Sequence, residues 1–489
     1  MSTHVEESAR DARPADADPL YPRMHPRPPR NWVNDPNGLV HHNGRWHLFA
    51  QANPNSTEAG DICWWHSDSA DLVHWTDRGI ALRPHPGDDT RADRDGVWSG
   101  NAVSHDGDLV AFYSAFRSDA AWQPVLRAVS GDDGRTFVAD GTVLATAPEI
   151  VVLPDGTRTT AHTLRDPFVW SDPDPAAPGE PRWSLLVGAG LVVVEPGDGS
   201  DRYAAVLRFV SADLAQWTYA GVFHHLPVPA RGTTPDTGEM WECPAYAEIP
   251  DGTGQLVSVL IVCGWYRTSF PARAIALLAG RAGDALTQRS ATPLEDGDAL
   301  YAPSLLHAPD GRVLLWGWVR ELRDLSESAA AGWAGALTFP RELTIRDGAL
   351  ASWPTAELDV LRSTELRVTD EEFTIPVAAE VLIDGDAGPV TVHLRSGSTE
   401  LTIGLDPTAA QARVGDVVLD ASTTSAGGRP WLRVFVDGSV IEAFASAGRA
   451  ATTRTYPVDH AGWTARVEGA ISSVHAWNLS GPALLPDPR

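Results

Sequence analysis

Cysteine is nearly absent: the 489-residue chain holds three, Cys63, Cys243 and Cys263. Three thiols cannot all pair within one chain, which excludes a disulfide-built scaffold, and their spacing matches no zinc template. Positive charge is scarce too. Lys and Arg total 38 against 64 Asp and Glu, a formal net charge of −26. A surface that acidic repels phosphate backbones, so nucleic acid is excluded as a partner and a small neutral substrate fits better. No run approaches the roughly 18 apolar residues a membrane helix needs, which argues against a membrane partner. Residues 1–24 mix acids, Arg and Pro without an apolar stretch and read as a disordered N-terminal arm rather than a signal peptide. These absences together predict a cytoplasmic protein with reduced thiols. Nothing in them fixes the oligomeric state.

What is abundant is tryptophan, 19 residues in all, in a chain too long for one ordinary core. Helical periodicity is rare before residue 345. Short β-branched and aromatic runs alternate with Gly, Asp, Asn and Pro, the pattern of an all-β domain. One segment recurs: a turn followed by an aromatic–aliphatic strand, at Trp46, Leu109, Trp183, Leu256 and Val313, spaced about 57 to 74 residues apart. Ser69-Ala70-Asp71-Leu72 before Trp75 returns as Ser211-Ala212-Asp213-Leu214 before Trp217, two units later. Five such units predict a five-bladed β-propeller over residues 25–345. A linker is expected at 346–354 and a C-terminal β-sandwich at 355–489, opening with a short helix from Thr355 to Arg362. Glu442 falls in one of the sandwich strands, where a structural or solvent-facing role is expected.

The chemistry centres on Asn31-Trp32-Val33-Asn34-Asp35-Pro36-Asn37-Gly38. By itself Asp-Pro-Asn-Gly is a tight turn. Here it fixes a carboxylate beside an amide and behind a Trp, as a nucleophile requires. Arg165-Asp166-Pro167 and Trp241-Glu242-Cys243-Pro244 supply two more stiffened acids. In a propeller the inner strands converge on one axis, so acids distant in sequence can meet. Cutting an acetal needs an acid and a carboxylate, held about 5–5.5 Å apart in retaining enzymes and about 6.5–9.5 Å apart in inverting ones. Glu242, flanked by Trp241, Cys243 and Pro244, suits a carboxyl kept protonated near neutrality. Asp35 is expected to be held ionised by Asn34 and the turn amides, and Asp166 to be held charged by Arg165.

With those motifs in order, the chain resembles glycoside hydrolase family 32, the invertase, fructanase and β-fructofuranosidase family. The resemblance runs from about His25 to the end. It is carried by Trp32 to Gly38, Arg165-Asp166-Pro167 and Glu242-Cys243, with Gln51-Ala52-Asn53-Pro54, Trp98-Ser99-Gly100, Tyr301-Ala302-Pro303 and Pro340-Arg341-Glu342-Leu343 in support. It implies a retaining mechanism in which Asp35 is the nucleophile, Glu242 the acid and base, and Asp166 the stabiliser of the transition state. It further implies that Asn34, Gln51, Trp98, Ser99, Arg165 and Trp318 line a fructose pocket, with no metal or cofactor required.

The chain departs from the family pattern at several positions. Ala59 stands near where a Trp is usual, and Trp65 stands where Gly is common, as if an indole had been relocated. Trp98 replaces a Phe, Asn101 a Ser, Ala245 an Asp that would couple to Arg165, and Ser304 a Gln. The leading expectation is an exo-acting β-fructofuranosidase cleaving sucrose or short fructo-oligosaccharides. A fructosyltransferase and a fructan-binding protein with degraded activity stay open beside it. Phosphorylated sucrose is compatible too, although the sequence shows no localised basic cluster that would demand it.

Overall fold

Each of the five recurring segments becomes the second strand of a blade: Arg45–Asn53, Asp108–Phe116, Trp183–Val193, Leu256–Trp265 and Val313–Val319. Such strands have a neighbour on both edges and side chains buried on both faces, so they read as near-continuous apolar runs. The inner strands of blades I to V are Asn31–His42, Gly96–His105, Arg158–Ser171, Met240–Pro250 and Leu300–His307. Neighbouring inner strands pack against one another in a ring that closes from blade V back to blade I. In this computed structural model the described residues are 18–487 apart from 120–122, 173–181, 195–201, 229–235, 268–272, 283–284, 386–387, 424–427, 458–461 and 482–483. The protein is a five-bladed β-propeller followed by a β-sandwich. Among the described residues no helix is long and apolar enough to cross a membrane.

Blade I is closed by two parallel pairings, of Trp333–Ala334 with its inner strand and of Leu484–Leu485 with its outer strand. The segment 346–354, expected as a linker, instead carries Ala349–Pro354, the outer strand of blade V, paired with Arg341–Arg346. It is a six-residue edge strand, and Ala351 and Ser352 are its buried residues. The helix expected from Thr355 is a 3₁₀ turn, Ala356–Leu361, and no side chain caps it. Leu358 and Leu361, three apart, eclipse in that tighter helix and both bury. Beyond it two six-stranded sheets face each other over a Val, Ile, Leu and Ala core.

Of the expected disordered arm, residues 1–17 lie outside the described residues, whereas Asp18 accepts from Trp333 of the propeller at 2.9 Å and Arg23 and Met24 dock on the sandwich. Asp437, the hairpin-turn aspartate, accepts from the backbone N–H groups of Arg23 and Met24 at 2.9 and 2.6 Å. Propeller and sandwich are joined by a buried ionic network. Glu442, fully buried, accepts from His25 at 2.9 Å, from the Phe339 N–H at 2.7 Å and from Arg341 at 3.0 Å. Arg341 also pairs with Glu295 at 2.8 Å, and His25 with Asp437 at 2.8 Å. Burial alone would lower the His25 titration, but Asp437 and Glu442 outweigh it and raise it above 6.5. Burial alone would raise Glu442, but Arg341 and His25 hold it below its ordinary value.

Removing one partner of a buried ion pair strands the other. Glu442→Ala should therefore cost about 3–5 kcal/mol, read as a lower denaturant midpoint at pH 6. His25 has a raised folded titration, so its contribution is full below pH 6.5 and is lost as the pH climbs past the raised value. The stability penalty of His25→Ala should accordingly shrink as the pH is raised through that range.

Candidate active site

All five inner strands slip register against their second strands at the same level. The slips fall between Val33 and Pro36, Val97 and Gly100, Arg165 and Phe168, Glu242 and Ala245, and Tyr301 and Ser304. A bulge frees residues from the ladder and re-aims their side chains. In four blades the freed residue is followed by proline, which has no N–H to leave unpaired: Asp35-Pro36, Asp166-Pro167, Cys243-Pro244 and Ala302-Pro303. Three of them take a left-handed backbone, with φ of 63° at Asp166 and 45° at Cys243 and Ala302. Blade II uses Ser99-Gly100 instead. There a Cβ would lie 1.9 Å from the Phe112 carbonyl oxygen, so only glycine fits.

The bulges bring Asp35, Asp166 and Glu242 into one pocket. The Asp35 carboxylate accepts from Asn34 at 3.0 Å, Ser99 at 2.6 Å and Gln51 at 3.3 Å. Gln51 in turn bridges Asn34 at 3.0 Å and donates to Ser99. Cys243 sits between two of the acids. Its Sγ lies 3.8 Å from Asp35 and 3.6 Å from Asp166, and its backbone N–H donates to Asp166 at 3.0 Å. Glu242 receives Arg165 at 2.6 Å on one oxygen and the Tyr301 hydroxyl at 2.7 Å on the other. Arg165 is steadied by Thr163 at 2.8 Å and by the Trp265 ring, 5.1 Å from its guanidinium carbon.

Two electrostatic expectations are corrected here. Asp35 does receive its donors, but burial outweighs them and, with the charges of Asp166 and Glu242, pushes it up to about 7. Arg165 turns toward Glu242 and stays 4.0 Å from Asp166, whose carboxyl burial raises to about 6 despite that guanidinium. The flank expected to be apolar around Glu242 is instead an arginine and a phenol. Burial pushes the Cys243 thiol well above its ordinary value, so it remains S–H and donates to the acids beside it.

The expected pocket residues gather at the same level. Trp98 stacks on Phe116 at 4.4 Å, and Trp318 meets Trp32 edge-on at 5.5 Å and Tyr301 at 6.5 Å. Trp65 is not a relocated indole of the site: it is buried in blade I and donates to Asp77 at 2.8 Å. Asn101 stitches blade II to blade III through the Val169 carbonyl and N–H at 2.8 and 2.9 Å. Ala59 is exposed on a loop. Ala245 and Ser304 line an axial cavity of about 20 Å³ beneath the acids, room for a single water. Position 245 offers no acid, and Arg165 pairs with Glu242. Sequence reading missed Tyr301, Cys243 and Trp265 as site residues. The X-Pro that recurs at four of the five bulges was the signal that marks Cys243 and points one residue past Tyr301.

Residues 25–354 match the glycosyl hydrolases family 32 N-terminal domain, and residues 352–478 match the C-terminal domain of the same family. The chain is similar to the sucrose-6-phosphate hydrolase of Salmonella typhimurium, 31% identical over 90% of this chain and 89% of that protein. It is 32% identical to the sucrose-6-phosphate hydrolase of Escherichia coli over 70% of this chain, spanning 66% of that protein's length. In fold it resembles the Bombyx mori GH32 beta-fructofuranosidase BmSUC1, with a TM-score of 0.75 and 22% identity over 96% of this chain and 95% of that one.

Because Asp35 is lifted from 3.8 to about 7 in the folded protein, the stability it lends is full below pH 3.8 and lost as the pH rises through 7. Asp35→Asn removes that loss. The variant should melt above the parent at pH 8, by about 2–4 °C, and the gap should close toward pH 4. Thermal scans of the two proteins across that range check it.

Proposed function

The chain belongs to glycosyl hydrolase family 32, and from that premise we propose that it is a retaining, exo-acting β-fructofuranosidase. Its substrates are sucrose, in free or phosphorylated form, and short fructo-oligosaccharides. The single observation that carries this reading is the convergence of three carboxyl groups on one pocket, around Cys243 and Arg165. The names of the curated relatives favour sucrose carrying a phosphate. A cytoplasmic location fits such a substrate, because a charged sugar phosphate does not cross a bilayer unaided.

In the first step the Asp35 carboxylate attacks the anomeric carbon of the terminal fructosyl unit. Glu242 gives its proton to the glycosidic oxygen, the C–O bond breaks, and the leaving sugar departs with that proton. The product is a fructosyl ester on Asp35. In the second step Glu242, now a carboxylate, takes a proton from water, whose oxygen attacks the same carbon and frees both fructose and Asp35. Asp166, held by the Cys243 N–H, meets the fructosyl hydroxyls and the positive charge that builds on the ring. Arg165 and Tyr301 fix Glu242 and offer a cation and a phenol that can balance its changing charge. Asn34, Gln51 and Ser99 orient the nucleophile. Trp98 and Trp318 supply flat apolar walls for the sugar.

Incubation with sucrose should release glucose and fructose in equal amounts. Asp35→Ala and Glu242→Ala should each lower kcat by about three powers of ten or more with the fold intact by circular dichroism. Turnover that survives either change would rule the assignment out.

A further inference from the structure

Between blades IV and V, beside the acids, lies a cavity of about 190 Å³ lined by Arg273, Arg320, Glu295, Gly297, Asp298 and Leu300. It opens on the same face as the acids, as strand direction shows. Asp35, Glu242 and Tyr301 all stand near the beginnings of their inner strands. The second strand of blade V runs antiparallel and ends at that face, and Arg320 follows its last residue, Val319. The third strand of blade IV begins there, and Arg273 immediately precedes it.

The link to the acid is short. The Tyr301 hydroxyl donates to Glu242 at 2.7 Å and to the Gly264 carbonyl at 3.2 Å, and the Gly264 N–H donates to the Arg273 carbonyl at 3.2 Å. Arg320 pairs through its own N–H with Ala299, two residues before Tyr301 and so about 7 Å along the strand.

The two guanidinium groups are left without an anion. Neither has a carboxylate within 4.0 Å among the described residues. Arg320 Nη2 donates to the Asp298 carbonyl, while its Nε is buried with no acceptor. Glu295 is spent elsewhere, on Arg341 at 2.8 Å and the Thr452 N–H at 2.9 Å. Asp298 is the remaining acid on the wall and is itself exposed. Burial lowers the Arg320 titration; the Asp298 charge opposes this without cancelling it and Arg273 adds like charge, a penalty that a bound anion would relieve. The sandwich holds the pocket rigid: Arg454 donates to the Arg320 carbonyl at 2.7 Å, and the Thr452 carbonyl receives the Asp298 N–H at 3.1 Å.

We propose that Arg273 and Arg320 form the subsite for a phosphate carried by the leaving sugar, so that the pocket selects the phosphorylated β-fructoside over the neutral one. The inference rests on the hydrolase reading above and adds to it the residues that set the leaving group. Forked guanidinium donors match phosphate oxygens in geometry as well as charge.

Steady-state rates with sucrose and with sucrose 6-phosphate test it. The parent should favour the phosphorylated sugar in kcat/KM. Arg273→Gln, which replaces a side chain without a hydrogen bond or ion pair among the described residues, should lower kcat/KM for sucrose 6-phosphate about tenfold or more and leave sucrose within about twofold. Arg320→Gln should do the same, and the double variant should erase the preference. Equal losses on both substrates, or none, would overturn the subsite. If the parent cleaves neither sugar, the hydrolase reading fails and the subsite is judged by calorimetric binding. Glucose 6-phosphate should then bind the parent, Arg273→Gln should weaken it, and neither glucose nor inorganic phosphate alone should match it. Binding untouched by Arg273→Gln, or none at all, would overturn the subsite.

Discussion

A register slip repeated five times around one axis is the constraint on which the rest of this molecule depends. An undisturbed inner strand would alternate its side chains between the two faces of its blade and aim none of its polar groups together. The slip takes two residues out of the ladder at the same height in every blade. It turns Asp35, Ser99, Asp166, Cys243 and the neighbourhood of Tyr301 toward one funnel. Proline after the freed residue makes the break tolerable, because the N–H that would lack a partner is absent. The left-handed backbone at Asp166, Cys243 and Ala302 is a local cost sustained by the packed ring around it.

Convergence has an electrostatic consequence. Three carboxyl groups in one partly dry pocket cannot all ionise cheaply. Arg165 could relieve any one of them. Its guanidinium goes to Glu242, and Asp35 and Asp166 keep titrations near neutrality. Cys243 and Tyr301, both kept neutral by burial, donate hydrogen bonds without adding charge.

The sandwich is more than an appendage. Arg341 leaves blade V to meet Glu442, and Arg454 and Thr452 come back from the sandwich to hold the loop and strand end beside the acids. The sandwich strands that carry the ionic network therefore also hold the ends of blades IV and V. Stability of the interface and shape of the site are set by the same buried contacts.

Much of this was legible in residue order alone. The five apolar second strands announced themselves because burial on both faces leaves an uninterrupted aromatic–aliphatic run, and the acids stood out because Pro and Gly stiffen the chain beside them. The extent of blade V was not legible: Ala349–Pro354 is a short edge strand that ends in proline, and a Pro-ended run of six resembles a linker. Nor was the partner of Arg165, since adjacency to Asp166 in sequence says nothing about which acid lies across the axis. Arg273 and Arg320 show the same limit, being 47 residues apart in sequence and meeting only because blades IV and V abut. Local chemistry, the turns, prolines and strand periodicity, is written in neighbouring residues, so the sequence determined the blades and named the acids. Which charges face one another depends on register and on the closing of the ring, and those distances exist only after the chain has folded.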